Sequence, residues 1–299
     1  MISYHTPVML KEALEGLAVQ PGKKYLDATL GGGGHGIEIL RQGGKLLGIE
    51  VDREAIDFAK QNAKCQSASW RTNAKWGRDY LFVKGNFQEI EGIARENGFG
   101  QVAGILFDLG VSSHQLDSPS RGFSYRYSNA PLDLRFDQAS GEPASRLINR
   151  LSENEIYEIL AKFAEEQLAR PIARAIVSAR RLKPVATTGD LVEIINQLIA
   201  GTQPRNATLS RVFQALRIAV NEELVVLRLG LAGAQKLLEP GGRLAVISFH
   251  SLEDRIVKQF LAKKAWKLIT RKPLTPGACE LKANPRSRSA KLRIGELIC

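Results

Sequence analysis

The residues best suited to chemistry sit around a glycine run. A short apolar stretch ends at Asp27, Gly31-Gly-Gly-Gly-His-Gly36 follows, and the next apolar stretch closes at Glu50, 19 residues after Gly31. Consecutive glycines let the backbone turn tightly and approach a ligand without Cβ clashes, and the helix that starts here offers free N–H groups. Gly31, Gly33 and Gly36 satisfy G-x-G-x-x-G, and an acid at Glu50 is placed to accept hydrogen bonds from ribose hydroxyls. A dinucleotide would account for the loop and for Glu50. Asp27, just before the loop, favours a cationic, amine-bearing cofactor over a pyrophosphate. S-adenosylmethionine, with its sulfonium, amino and ribose groups, is such a ligand. Phe87, after the third apolar stretch, could flank its adenine or serve as a core aromatic.

A third carboxylate, Asp108, ends the fourth apolar stretch, and parallel sheets bind ligands at the carboxyl ends of their strands. It could serve the cofactor, the substrate amine or a structural purpose. Beyond it, Phe123, Asp133 and Arg135 fall in a long segment able to close over a flipped base, with loop packing the competing reading for Phe123. His250 and Arg255 follow a later strand and are candidates to face a base or a phosphate, whereas Ser251 and Glu253 read as helix caps. No H-x-x-x-H or H-E-x-x-H spacing is present, and Cys65, Cys279 and Cys299 lack C-x-x-C spacing. Neither a metal centre nor a disulfide framework is expected.

Positioning these groups requires alternating strands and helices. Strands are expected over 24–30, 45–50, 80–84 and 102–108, with helices over 37–42, 53–64 and 87–96 between them, the signature of a parallel sheet. A polar segment, 65–79, reads as a surface insertion. From 110 to 141 the chain is a long loop whose aromatics Phe123, Tyr125, Tyr127 and Phe136 argue against disorder. Helices follow from 143 to 200, one capped by Ser152 with Glu155, one opened by Thr187 or Thr188 and closed by 201–206. A single long helix is expected over 209–238, stopped by Pro240-Gly-Gly242, then a strand over 243–248 and a helix over 252–264. Segments 266–271 and 291–297 are too close for a helical crossover, so they should form an antiparallel pair at one end of the sheet. The fold class is α/β: a mostly parallel, doubly wound sheet with an antiparallel last strand and an inserted helical domain. The expected parts are 1–111, a mainly helical substrate-recognition domain over 112–212, and 213–299.

The chain has 299 residues and a net charge of +11. Between Arg255 and Arg293 lie twelve Lys or Arg residues and one acid, Glu280, leaving 30 basic and 30 acidic residues elsewhere. The whole excess therefore sits in one stretch. A solvated charge run is the competing reading, but interleaved Trp266, Pro273, Pro276 and Pro285 favour a shaped face for a polyanion, and Arg286 and Arg288 lie within it. Ordinary hydrophobic content and the lack of a long apolar run exclude a disordered or membrane-spanning chain, and a cytoplasmic location is expected.

Several segments are long and chemically unusual: His5-Thr-Pro-Val-Met-Leu10, 27–36, Asp108-Leu-Gly-Val-Ser-Ser-His-Gln-Leu-Asp117, Arg121-Gly-Phe-Ser124 and Pro131-Leu-Asp-Leu-Arg135. Later come Phe213-Gln-Ala-Leu-Arg-Ile218, Val220-Asn-Glu-Glu-Leu224, Ser248-Phe-His-Ser-Leu-Glu-Asp-Arg255 and Asn284-Pro-Arg-Ser-Arg-Ser289. Through them the chain resembles, over nearly its whole length, the 16S ribosomal RNA small-subunit methyltransferase H family, also called MraW-type. The resemblance implies a class I methyltransferase fold, S-adenosyl-L-methionine as cofactor, and methylation of the exocyclic N4 amine of a decoding-centre cytidine in 16S rRNA of the small ribosomal subunit. Carried over position by position, it implies cofactor contacts at Gly33, Gly34, His35, Glu50, Phe87, Asp108 and Gln115. Glu50 stands where the family more often has Asp, His114 where Pro is usual, and segment 65–79 lies outside the family pattern. Better-known amino methyltransferases carry Asp-Pro-Pro-Tyr where this chain has Asp108-Leu-Gly-Val111, which leaves the acceptor of the amine proton open. The oligomeric state is open between monomer and homodimer. Two alternatives stand beside this reading: an assembly factor that binds the cofactor without turnover, and a nicotinamide-dependent oxidoreductase. The intact loop counts against the first and Asp27 against the second.

Overall fold

The computed structural model describes residues 7–67, 75–199 and 205–298. Expectations for His5, for Cys299, for 68–74 of the polar insertion and for the helix end at 201–204 lie outside the described residues. In chain order the first elements are α1 (Leu10–Leu17), β1 (Lys24–Asp27), α2 (Gly34–Arg41), β2 (Lys45–Glu50), α3 (Arg53–Ser67), β3 (Tyr80–Lys84), α4 (Ile90–Glu96) and β4 (Val102–Asp108). Six helices follow: α5 (Ser113–Asp117), α6 (Ala144–Arg150), α7 (Glu153–Ala164), α8 (Ala169–Arg180), α9 (Thr188–Leu198) and α10 (Arg205–Asn221). The order closes with α11 (Glu223–Leu237), β5 (Leu238–Ser248), α12 (Ser251–Leu261), β6 (Trp266–Leu268), α13 (Ala278–Ala283) and β7 (Lys291–Leu297).

Two compact units result, 1–110 with 224–299, and 111–223. The chain returns to the first unit at 223/224 rather than after 212, because Phe213, Ala215 and Leu216 of α10 are buried in the core of the second.

In the first unit the strand order is β3-β2-β1-β4-β5-β7-β6. The first five strands are parallel, and β7 lies antiparallel between β5 and β6. The expected antiparallel pair is thus present, with its outer strand β6 cut to three residues. Strands of this kind read as apolar runs because helices cover both faces. Leu26, Leu47, Ile105 and Phe107 join the core under α4, α11 and α12, while Tyr25, Leu46, Leu106 and Ile247 join the one under α1, α2 and α3. That alternation is the pleat of a strand. β1 stops at Asp27 rather than Leu30, because the Asp27 carboxylate accepts from the Thr29 N–H and turns the chain into the glycine loop. The sheet order reverses between β1 and β4, so Asp27 and Asp108 flank the crevice where open α/β sheets bind ligands.

The second unit is helical and packs α6 to α10 around Leu132, Ile148, Leu160, Ile172, Ile195 and Leu216. Ser152 and Glu155 form the expected capping box, and Thr187, with Asp190, opens α9. The long loop contains α5 and a 3-10 turn over Pro119–Arg121. Instead of one helix over 209–238 there are two. Glu222 adopts φ +50, and the Asn221 side chain donates to Leu134 O and accepts from the Phe136 N–H, so the helix stops where its side chain holds the loop. Asn206, expected in the preceding terminator, lies inside α10. Among the described residues no helix is long and apolar enough to cross a membrane.

Candidate active site

The ends of β1, β2 and β4 bring Asp27, Glu50 and Asp108 around the glycine loop. Glu50 Oε2 accepts from the Gly31 N–H at 2.8 Å, and its Oε1 accepts from the N–H groups of Val51 and Asp52, each at 2.9 Å. Burial pushes this carboxyl up against those hydrogen bonds. Asp27 is 1% exposed. Burial, opposed by the Thr29 N–H and reinforced by the charge of Glu50, pushes its carboxyl up to about 7. Thr29 Oγ1 accepts from the Asp108 N–H at 2.6 Å and so sets the end of β4 against the loop. Burial, then the charges of Asp27, Glu253 and Glu280, pushes the Asp108 carboxyl well above the ordinary range. His35 Nδ1 lies 3.7 Å from Asp108 Oδ2, and its Nε2 lies 3.0 Å from Val8 O.

Gly31 and Gly33 have φ of +50 and +82, a region that favours glycine, and a Cβ on Gly34 would lie 2.3 Å from Pro7 Cγ. Phe87 is half-buried, stands edge-on to Phe107 with centroids 5.4 Å apart, and lies so close to Gly230 that a Cβ there would meet its ring at 2.6 Å. Carboxylates gathered in so buried a place are costly unless a cation joins them, since a positive charge nearby favours the ionised forms. A pyrophosphate would add repulsion instead. The donor set therefore fits the sulfonium and ammonium groups of S-adenosylmethionine, with Glu50 as a ribose acceptor, better than a dinucleotide.

His250 is the N-cap of α12: its Nδ1 accepts from the Glu253 N–H at 3.4 Å, and Glu253 Oε2 accepts from the N–H groups of Phe249 and His250. Ser251, read from sequence as the cap, is the first helical residue and exposed, while Glu253 does close the box. The extended backbone of His250 is what brings its imidazole over the first turn. Arg255 is exposed on α12. Arg286 and Arg288 are exposed on a 3-10 turn, Pro285–Ser289, anchored by buried Ser287, whose Oγ donates to Asn284 O at 2.8 Å.

In the second unit, Gln115 is buried and its Oε1 accepts from the Ser112 N–H, closing a capping box on α5. The spacing Ser112-x-x-Gln115 is a legible capping signal that sequence reading passed over. Phe123 is 6% exposed and stacks on Phe136 with centroids 5.7 Å apart. Arg135 grips Asp133 through Nε to Oδ1 and Nη2 to Oδ2, both 2.8 Å, which outweighs burial and holds the Asp133 carboxyl below its usual range. Sequence reading also missed Thr29 and Glu280. For Glu280 the signal was there, as the lone acid in the basic stretch.

The sheet order with its antiparallel β7, and a carboxylate-lined glycine loop at the switch point, define a class I S-adenosylmethionine-dependent methyltransferase fold. The sequence pattern of the MraW methylase family matches residues 2–298. A protein of Symbiobacterium thermophilum named Ribosomal RNA small subunit methyltransferase H is 44% identical, covering 98% of this chain and 96% of its own. A protein of the same name from Heliobacterium modesticaldum is 44% identical over 100% of both chains. The chain belongs to the MraW methylase family.

Proposed function

We propose that this protein transfers the methyl group of S-adenosylmethionine to the exocyclic N4 amine of a decoding-centre cytidine in 16S rRNA, acting on small ribosomal subunits in the cytoplasm. The reading is carried by the buried carboxylates at the sheet's switch point in a chain 44% identical, end to end, to proteins named for small-subunit rRNA methylation. Gly33, Gly34 and His35 would hold the amino acid portion of the cofactor, Glu50 its ribose and Phe87 its adenine. Gln115 is carried over from the family resemblance alone.

The cofactor supplies an electrophilic methyl group on a sulfonium. A cytosine amine is a poor nucleophile because its lone pair is delocalised into the ring. Acceptors that hold its N–H groups turn the lone pair toward the methyl, and positioning of this kind can supply roughly 7–11 kcal/mol of barrier reduction. Asp108 is our candidate acceptor. Its raised pKa makes the carboxylate a stronger base for the proton that the amine must lose. Arg286 and Arg288, exposed in the stretch that holds the whole net charge, suit phosphates, and His250 and Arg255 are the remaining candidates in this unit. Phe123, Asp133 and Arg135 form the proposed base-facing set of the inserted unit, with Asp133 and Arg135 acting as one ion-paired group.

The test is methyl transfer from labelled S-adenosylmethionine to small subunits lacking the modification, read by nucleoside mass spectrometry. Wild type is expected to give N4-methylcytidine, and Asp108→Ala to lose at least about 100-fold in rate. Binding of cofactor and subunit without transfer would instead favour an assembly factor.

A further inference from the structure

The Val8–Met9 peptide unit is held at both ends. Its carbonyl oxygen lies 3.0 Å from His35 Nε2, and its N–H donates to Glu280 Oε1 at 2.7 Å. Val8 and Met9 are each 1% exposed. Met9 takes φ 51 and ψ 38 ahead of α1, without a side-chain cap, a conformation that costs an L-residue free energy and persists only when its surroundings hold it. Pro7 sits directly on the glycine loop at Gly34. Glu280 arrives from α13, 271 residues away in sequence.

A carbonyl oxygen can only accept, so His35 carries a proton on Nε2 and turns Nδ1 to Asp108 Oδ2, 3.7 Å away. A carboxylate on the N–H end of an amide polarises it and strengthens its oxygen as an acceptor, because hydrogen bonds in a chain reinforce one another. We propose that Glu280 is a positioning residue: acting through the Val8–Met9 peptide, it fixes the Nε2–H tautomer and ring orientation of His35, and with them the nitrogen presented to Asp108 at the cofactor loop. Its charge also reaches Asp108, whose carboxyl it helps to push up. The link to cofactor binding rests on the function proposed above, whereas the link to the imidazole does not.

The chain has four histidines, so labelling with 15N-histidine and long-range 1H–15N correlation resolves His35, assigned with His35→Gln. In wild type, Nε2 is expected to be protonated and Nδ1 bare above the titration of the ring. Glu280→Ala is expected to give a mixture of tautomers and about tenfold weaker binding of S-adenosylhomocysteine by calorimetry, with an unaltered circular dichroism spectrum. Glu280→Gln keeps an acceptor for the Met9 N–H, so the tautomer should persist while the midpoint of the His35 titration falls, a negative charge having left the chain of bonds. This second variant decides the matter should the alanine variant not fold. Unchanged His35 nitrogen shifts and an unchanged titration in either folded variant would overturn the proposal. A wild type that shows the expected tautomer but binds no S-adenosylhomocysteine would overturn the cofactor reading and leave the coupling of Glu280 to His35 standing.

Discussion

Asp27 provides the sharpest prediction. With its carboxyl raised from 3.8 to about 7, the folded chain keeps a proton that the unfolded chain has already lost. The unfolded state binds fewer protons between about pH 4 and pH 7, so stability falls as pH rises through that window and levels off above it. A shift of this size bounds the whole effect at roughly 4 kcal/mol, of which about 1.4 kcal/mol falls between pH 6 and pH 8. A melting point drop of roughly 2 °C over those two pH units corresponds to that loss. A cationic ligand reverses the balance by stabilising the ionised form. Affinity for S-adenosylmethionine should therefore rise about tenfold from pH 6 to pH 8, with about half a proton released per site at pH 7. Calorimetry in buffers of different ionisation enthalpy reads both quantities. Asp27→Asn removes the titrating group, and the difference between the two proteins cancels the ligand's own amine titration. Equal pH slopes in wild type and Asp27→Asn, for affinity and for melting temperature, would refute the reasoning.

Three further outcomes are expected. Gly34→Ala drives a Cβ to 2.3 Å from a rigid proline ring, so the segment over the loop must lift; cofactor affinity should fall at least about tenfold by calorimetry. Asp254 accepts from Arg293 Nε at 2.6 Å and from Nη2 at 3.2 Å, joining α12 to β7, and Asp254→Ala should cost about 2–4 kcal/mol in urea unfolding at pH 7. Burial raises this carboxyl but Arg293 outweighs it, so the pair stabilises above the ordinary carboxylate pKa, and the difference between the two proteins should vanish as pH falls through the lowered value. Replacing Arg286 and Arg288 together by Glu should weaken small-subunit binding and flatten its salt dependence, with cofactor binding within about twofold of wild type by the same calorimetry.

The sheet was legible because its strands are covered on both faces. Runs such as Val102–Asp108 leave no polar position for water, and their spacing with helical patterns admits only parallel crossovers. The capping box at Ser152 was equally plain, being local chemistry over four residues, whereas the start of α9 was legible only to within Thr187 or Thr188, and the structure settles it on Thr187. The break at Glu222 was not legible, since no proline or glycine stands near it to mark a stop. It arises from Asn221 bonding to Leu134 and Phe136, more than eighty residues earlier. His250 as a cap was missed for a related reason: a serine at the next position has the better intrinsic propensity, and only the backbone path decides which side chain lies over the first turn.

By itself the sequence determined the class of fold, the glycine loop, the acids at the ends of three strands and the concentration of charge in one stretch. Each of these is a matter of local pattern or covalent order. The tertiary structure alone decided their electrostatics. Folding puts Asp27, Glu50 and Asp108 around one loop, takes them out of water and raises their pKa values, because desolvation and mutual repulsion exist only once the strands are side by side. It alone joins Glu280 to His35 through the Val8–Met9 peptide, since a hydrogen bond spanning 271 residues has no local signature.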